Sequence, residues 1–495
     1  MYGAVSPQSV LIEYENTNSV YANSGFMIAD KYIIATSNIF IATIPKEYDI
    51  KEKMEIFTGG FSNSETLFDA PPKVNIVINR TNPYINKPGR LIAIYTSDSI
   101  REQLSTYFDD WLFDEDDKSK QLKELLSVFF IFAVNSKTYQ PTVEDFLRNI
   151  HEVIKTYPND PIKVGDKIII EGTPFGSRHF LRSRSKGIVS NIFGTEDCFI
   201  LTDTPTSPGC EGSPIYLKRR KLSSFPIGIV LASLSWWRGE WIGLTLGITL
   251  PALFLNAAPK LQNFKILADD DEKLEYQIIN VLYHGLVQVI SGTSWGSGIL
   301  LNKESGIFVT NSHVIESPSP TIIWRGMEIN SKVIYKASEN DIYDIAILAA
   351  DLHVLKKTKM IAIKISKDEI LKGETVFAAG FPLFSHTTKP KPTLTKGCVS
   401  HVSHAMIKTT CSVLPGSSGG AILRKNGELI GIIVCNTKLG EKMSAVPRVN
   451  MAIPIVNVID TIVTYVKTKD GTVLGKLKVE DLQIKKEWNL ISSKL

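Results

Sequence analysis

Apolar and polar positions alternate in short runs along most of this chain. Stretches such as KIIIEG (167–172), SGILLN (297–302) and GIFVT (306–310) are rich in Val, Ile and Thr and are bounded by Gly, Pro, Asn or Ser. That pattern predicts short strands assembled into antiparallel barrels or sandwiches, an all-β-dominated fold. Residues of about 100–160 break it. REQLSTYFDDWLF, KQLKELLSVFF and TVEDFLRNIHEVI repeat their apolar positions every three to four residues, which predicts a helical insertion. The acidic run from Asp109 to Asp117 inside it reads as a solvated loop with a few apolar anchors. Apolar density falls and charge rises over 256–277, which marks a linker.

The strand pattern occurs twice, in the same order. VGDKIIIEGTPFG (164–176) matches KGETVFAAGFPLF (372–384), and SKGIVSNI (185–192) matches TKGCVSHV (395–402). PGCEGSPIY (208–216) matches PGSSGGAIL (415–423), PIGIV (226–230) matches LIGII (429–433), and SGFMIADKYIIATSNIF (24–40) parallels SGILLNKESGIFVTNSHVI (297–315). The chain is therefore an internal duplication. The boundaries that follow are 1–255 for the first copy, 278–467 for the second and 468–495 for a C-terminal tail.

Composition narrows the function classes. Apolar residues are 43% and charged residues 21% of the chain, which excludes wholesale disorder, collagen-like and coiled-coil classes. A net charge of +4 without a concentrated basic stripe gives no footprint for nucleic acid. Five scattered cysteines make neither a disulfide framework nor a zinc knuckle, so a reducing compartment is expected. The first residues lack a basic segment followed by an apolar one, so no secretion is expected. The apolar run LLSVFFIFAV (125–134) is too short to span a bilayer, and Arg238 and Glu240 interrupt the one at 230–256. No metal site is expected either: His401 and His404 are spaced to leave a strand on opposite faces. No cofactor is expected.

Three blocks of the second copy carry chemistry. Thr310-Asn311-Ser312-His313-Val314 ends an apolar strand with a histidine, and Asp344 stands at the mouth of the buried strand IAIL (345–348). Leu414-Pro415-Gly416-Ser417-Ser418-Gly419-Gly420 is a glycine-rich turn presenting a serine. A serine hydroxyl becomes a nucleophile when an imidazole takes its proton, and the imidazole needs a carboxylate to fix its tautomer. The turn can aim the N–H groups of Gly416 and Ser418 at a developing oxyanion. In the first copy the sequence alignment puts Asn38 at the His313 position, Leu91 at the Asp344 position and Glu211 at the Ser418 position. None of these can take the corresponding part, so the first copy is expected to be inactive.

TNSHV, DIAIL and GSSGG together resemble the signature blocks of trypsin-like serine proteases, nearest the cysteine-poor Deg/HtrA type, although Ser417 stands where those enzymes more often have Asn or Asp. The resemblance implies two tandem trypsin-like double β-barrel domains, the first degenerate, with His313, Asp344 and Ser418 as the triad. It also places Ser412, six residues before the nucleophile, at the base of the specificity pocket. With no acid nearby, that pocket predicts small or uncharged side chains before the scissile bond, cysteine among them. The final Ser493-Lys494-Leu495 is the tripeptide read by the peroxisomal import receptor. With that tripeptide, the chain resembles the peroxisomal leader-peptide-processing protease family. The resemblance implies a location in the peroxisomal matrix and matrix proteins as substrates: removal of N-terminal leaders and internal cleavage of β-oxidation enzymes. Two other readings stand beside it, a general Deg-like quality-control protease and a non-catalytic protease-like scaffold.

Overall fold

The computed structural model describes residues 8–16, 19–37, 60–63, 72–79, 84–108, 125–135, 140–155, 157, 161–218, 224–237, 240–254, 273–338, 341–383, 390–439, 444–479 and 481–489. Asn38, the acidic run 109–117, most of the predicted linker and Ser493-Lys494-Leu495 lie outside them. The chain divides into two compact units, Met1–Arg238 with Gly243–Asp269, and Gly239–Ile242 with Asp270–Leu495.

In the first unit, seven strands form the first sheet: β1 (Gln8–Asn16), β2 (Ser19–Ile28), β3 (Tyr32–Thr36), β4 (Gly60–Asn63), β5 (Lys73–Asn79), β6 (Ile85–Thr96) and β7 (Val128–Val134). They run in the order β4-β6-β5-β1-β2-β3-β7, and β6 also pairs with β7. Six strands thus close on themselves, with β4 added on β6. A second barrel closes from β8 (Lys167–Gly172), β9 (Ser183–Phe193), β10 (Phe199–Thr202), β11 (Pro214–Lys218), β12 (Ser224–Trp237) and β13 (Glu240–Thr249).

The second unit repeats the plan. Its first barrel is β14 (Leu286–Ser291), β15 (Ser294–Asn302), β16 (Ile307–Thr310), β17 (Thr321–Trp324), β18 (Met327–Lys336) and β19 (Ala346–Ala350). Its second is β20 (Thr375–Gly380), β21 (Thr393–Val402), β22 (Ile407–Thr409), β23 (Ala421–Arg424), β24 (Leu429–Leu439) and β25 (Ser444–Pro454). Closure pairs every backbone edge, and each lumen is filled by alternate side chains: Val287, Leu300, Phe308 and Leu348 in one barrel, Val376, Val399, Ile422 and Ile433 in the other. The fold is all-β-dominated, two tandem trypsin-like double barrels.

The duplication is visible bond by bond. Gly165 N donates to Val189 O at 2.8 Å, and the aligned Gly373 N donates to Val399 O at 2.8 Å. Gly212 N reaches Val230 O at 2.8 Å, as Gly419 N reaches Ile433 O at 2.9 Å. Cys210 N reaches Ser207 O at 3.0 Å, as Ser417 N reaches Leu414 O at 2.8 Å.

The insertion differs from expectation. Helices form at Asp98–Phe108, burying Ile100, Leu104 and Phe108, and at Val143–Lys155, burying Phe146, Ile150 and Ile154. Between them, however, VFFIFAV is strand β7, not helix, and it closes the barrel against β3 and β6. A run apolar at every position suits a strand with neighbours on both sides, and periodicity alone does not separate it from a buried helix. The expected helical insertion over about 100–160 is therefore split, with one helix on each side of a core strand. That moves one counterpart. Leu91 lies in β6, opposite Phe132 of β7, so it matches Val333 of β18, opposite Leu348 of β19. Ala35 pairs with Phe130 as Thr310 pairs with Ala346, so the residue at the Asp344 register is Val128. Valine, like leucine, cannot orient an imidazole.

The C-terminal side is also more ordered than a tail. Helix Val456–Thr468, a 3₁₀ segment Gly471–Leu477 and helix Leu482–Asn489 follow the last barrel, burying Leu474, Leu477 and Ile484. Helix Lys273–His284 begins within the stretch expected to be linker. Among the described residues, no helix is long and apolar enough to cross a membrane, and no cluster of side chains has the make-up of a metal site.

Candidate active site

The site of the second unit is built between its two barrels. His313 sits in a single 3₁₀ turn, Ser312–Val314, immediately after β16. Asp344 precedes β19, and β16 and β19 are adjacent, pairing Thr310 with Ala346. Adjacency of these two strands brings two residues 31 positions apart into contact. The Asp344 carboxylate takes His313 Nδ1 on Oδ2. Its Oδ1 accepts from Ser312 N at 2.7 Å, from the Ser312 hydroxyl, and from His313 N at 3.1 Å. Asn311 Nδ2 holds the Asp344 carbonyl at 2.6 Å. Burial pushes the Asp344 carboxyl up, but the bonds from His313 and Ser312 outweigh it and hold the group below the usual aspartate range. The carboxylate is thus ionised and fully engaged, while the imidazole it holds is about half exposed.

Ser418 comes from the second barrel, on the turn between Leu414 and Ala421. Ser417 N donates to Leu414 O, and Ser417 Oγ accepts from Leu414 N at 3.3 Å, so serine closes this turn by itself. Gly296 in β15 brings the two barrels together: a Cβ there would lie 2.6 Å from Val314 Cγ2 and 2.9 Å from the Ser418 carbonyl oxygen. Ser297 N donates to that same carbonyl at 2.7 Å. The residue after His313 and the backbone of Ser418 therefore flank one glycine. The Ser418 hydroxyl itself donates to Val434 O at 3.0 Å, so its proton is not directed at His313.

Gly416 adopts φ +90°, and a Cβ there would fall 2.6 Å from Trp295 Nε1 and 2.8 Å from Phe381 O, so glycine is required twice over. Among the described residues, the N–H groups of Gly416 and Ser418 have no acceptor. The first copy shows where such a pair points. Gly209, also at φ +93°, donates its N–H to Glu211 Oε2 at 2.8 Å, and Glu211's own N–H bonds the same carboxylate. These are the aligned equivalents of Gly416 and Ser418. The two donors converge on one carboxyl group, and in the first copy that group is a side chain of the chain itself.

The scaffold behind both turns is shared. Ser297 Oγ donates to Gly416 O at 2.7 Å and accepts from Phe381 N at 2.8 Å; Ser24 Oγ donates to Gly209 O at 2.6 Å and accepts from Thr173 N at 2.9 Å. Ser24 and Ser297 head aligned SG dipeptides, a signal present in the repeat that carried no chemical meaning until the turn was seen. Ser312 was part of the histidine block, but its second bond to Asp344 was not legible. In the first copy, the aligned Ser37 has no carboxylate to meet and donates to Leu125 O at 2.6 Å.

Ser412 is buried, and its carbonyl accepts from Thr395 Oγ1 at 2.7 Å. The preceding Cys411 is held by two more buried neutral groups: its N–H donates to Thr409 Oγ1 at 3.3 Å and its carbonyl accepts from Asn450 Nδ2 at 2.7 Å. His401 is on β21 and His404 in the turn after it, both exposed.

Burial pushes the Glu211 carboxyl up from the ordinary 4.5, more than the N–H groups of Glu211 and Gly209 and the Ser233 side chain hold it down. Its folded-state pKa thus exceeds its unfolded one, so this group's stabilising contribution is full below about pH 4.5 and is lost as pH rises above it. Glu211→Gln keeps an acceptor for the two N–H groups and does not titrate. Thermal melts at pH 5 and pH 8 should show the variant gaining on the wild type at the higher pH, with peptide hydrolysis unchanged.

Residues 296–432 match the trypsin-like peptidase domain. The chain is similar to the peroxisomal leader peptide-processing protease of Homo sapiens, 28% identical over 351 residues that make up 66% of this chain and 59% of that protein. Its similarity to the Mus musculus protein of the same name is 26% over 366 residues, 68% and 62% of the two chains. Against the serine protease Do-like HtrA of Bacillus subtilis (strain 168) it is 31% over 155 residues, 28% and 32%. The chain thus matches about three-fifths of the length of the two peroxisomal relatives.

Proposed function

We propose that the chain is a serine endopeptidase whose reaction runs through His313, Asp344 and Ser418. The observation that carries this reading is the Asp344 carboxylate holding His313 Nδ1 beside a turn with two unpaired N–H groups. With Nδ1–H fixed on Asp344, His313 presents Nε2 as a base. Rotation about χ1 frees the Ser418 hydroxyl from Val434 O; it gives its proton to Nε2 as Oγ attacks the scissile carbonyl. The tetrahedral oxyanion is received by Gly416 N–H and Ser418 N–H, and His313 returns the proton to the leaving amine. Water then repeats the sequence to release the acyl group. The first copy, with Val128 and Glu211 at two of the three positions, takes no chemical part.

The neutral surroundings of Ser412 support a preference for small or uncharged side chains before the cut, cysteine included, because a cation buried there would be unpaired. Mass spectrometry of a peptide library, digested by wild type and by Ser418→Ala, tests both proposals. Cleavage that requires Ser418 and follows uncharged residues is expected; dominant Arg or Lys before the cut overturns the pocket reading and leaves the triad.

The names of the two mammalian relatives support a role in leader-peptide processing in the peroxisome; a location in its matrix and the import receptor as a partner rest on Ser493-Lys494-Leu495 alone. Ser493-Lys494-Leu495 makes the location testable: removing Lys494 and Leu495 should leave the protein in the cytosol, as read by fluorescence microscopy of the tagged chain. Similarity to the Do-like HtrA protease favours, as second reading, a general quality-control protease. Cleavage of a folded leader-bearing precursor, with unfolded casein spared, separates the two.

A further inference from the structure

The residue before Asp344 is anchored from the far end of the chain. Tyr343 is buried, with 1% of its surface exposed, although it lies in the loop that joins β18 to β19. Its hydroxyl donates to Ala405 O at 3.2 Å and accepts from Asn457 Nδ2 at 2.7 Å. Asn457 opens the helix after the last barrel and also holds His404 O at 2.6 Å. Trp488, in the last helix, donates Nε1–H to the same Ala405 carbonyl at 3.2 Å and sets its ring edge-on to Tyr343, 6.1 Å between centroids at 76°. Glu487 of that helix takes the Ser403 hydroxyl, and Asp481 caps its start through Gln483 N at 2.7 Å. A hairpin turn of the second barrel and two C-terminal helices thus converge on one ring of the first barrel's loop.

We infer that helix Leu482–Asn489 is a strap on the active site: Trp488, with Asn457, acts as a positioning residue that holds Tyr343, and through it the backbone of Asp344. This rests on the peptidase reading above. Trp488 and Tyr343 touch no reacting atom. Their effect is on the placement of a carboxylate that must keep four donors, two of them backbone N–H groups, in register at once. Loosening the Tyr343 ring lets the 341–345 loop shift. A displacement of about an ångström at a catalytic group is enough for a tenfold to hundredfold loss of rate. The bonds and ring contact of Trp488, Asn457 and Tyr343 run to one another and to the 404–405 backbone, not to the oxyanion turn or Ser412, so the expected effect is on kcat and not on KM.

The test uses the full chain and one uncharged peptide substrate, with Ser418→Ala as the background. Trp488→Ala should lower kcat about tenfold with KM changed less than about twofold, and Trp488→Phe, which keeps a ring against Tyr343, should recover most of the loss. The rate of covalent labelling by a fluorophosphonate should fall in parallel with kcat. A kcat for Trp488→Ala within twofold of wild type overturns the inference, as does a loss confined to KM or a Trp488→Phe as impaired as the alanine. Should Trp488→Ala fail to fold, Tyr343→Phe removes a single hydroxyl from the same junction. It should lower kcat about threefold with KM held, and an unchanged kcat then overturns the inference. Wild type without Ser418-dependent hydrolysis overturns the peptidase reading and the strap together; active wild type with an unmoved Trp488→Ala overturns the strap alone.

Discussion

Ser418→Ala should lower kcat for peptide hydrolysis by roughly a millionfold, leaving the residual rate of a site that binds substrate and an oxyanion without a nucleophile. The fold should be untouched. Among the described residues the Ser418 hydroxyl makes one hydrogen bond, to Val434 O, and the turn around it is held by backbone bonds and by Ser417. A circular dichroism spectrum and melting temperature matching wild type, with hydrolysis at background, is the expected pair of results. More than a few per cent of wild-type turnover in purified variant would sink the assignment of the nucleophile.

Asp344→Asn should cost about ten-thousandfold in kcat with far less effect on KM. The reason lies in the donors around the carboxylate. Oδ1 receives two N–H groups and a hydroxyl, so an asparagine must place its carbonyl there and turn its NH₂ toward His313. An amide donor facing Nδ1 forces the proton to Nε2, where it blocks the base that Ser418 needs. The same swap removes a carboxylate held ionised by its bonds, so stability should be lost as well, most visibly above the pH at which aspartate ionises in the unfolded chain. Pre-steady-state kinetics with an activated ester reads the first effect; a loss in KM alone with kcat preserved contradicts it.

Much of this architecture was legible because a duplicated sequence supplies its own alignment. Blocks such as VGDKIIIEG and KGETVFAAG share turn glycines and strand alternation, and several of the paired blocks make equivalent backbone hydrogen bonds. The positions of the proposed triad were legible because few residue types serve its chemistry. The counterpart of Asp344 was not. The alignment stretched across 91 because the strand that matters, VFFIFAV, is apolar throughout and offers no period to place it, and pairing register located Val128 instead. Nor did a lone glutamate at 211 reveal its role, which depends on a positive φ at Gly209 two residues away. The ordering of 470–489 escaped because its anchors, Leu474, Leu477, Ile484 and Trp488, are single apolar residues among charges.

The carboxylate of Glu211 has a practical corollary for anyone counting sites. A boronic acid or other mimic of the tetrahedral adduct needs a vacant pair of amide donors, and in the first copy those donors already hold a carboxyl group covalently tethered to the chain. The local concentration of a tethered group is one that a freely diffusing analogue does not match. The two halves, alike in backbone, are therefore expected to differ in stoichiometry: each polypeptide should offer one seat to such a ligand, and a titration with it should count chains, not barrels.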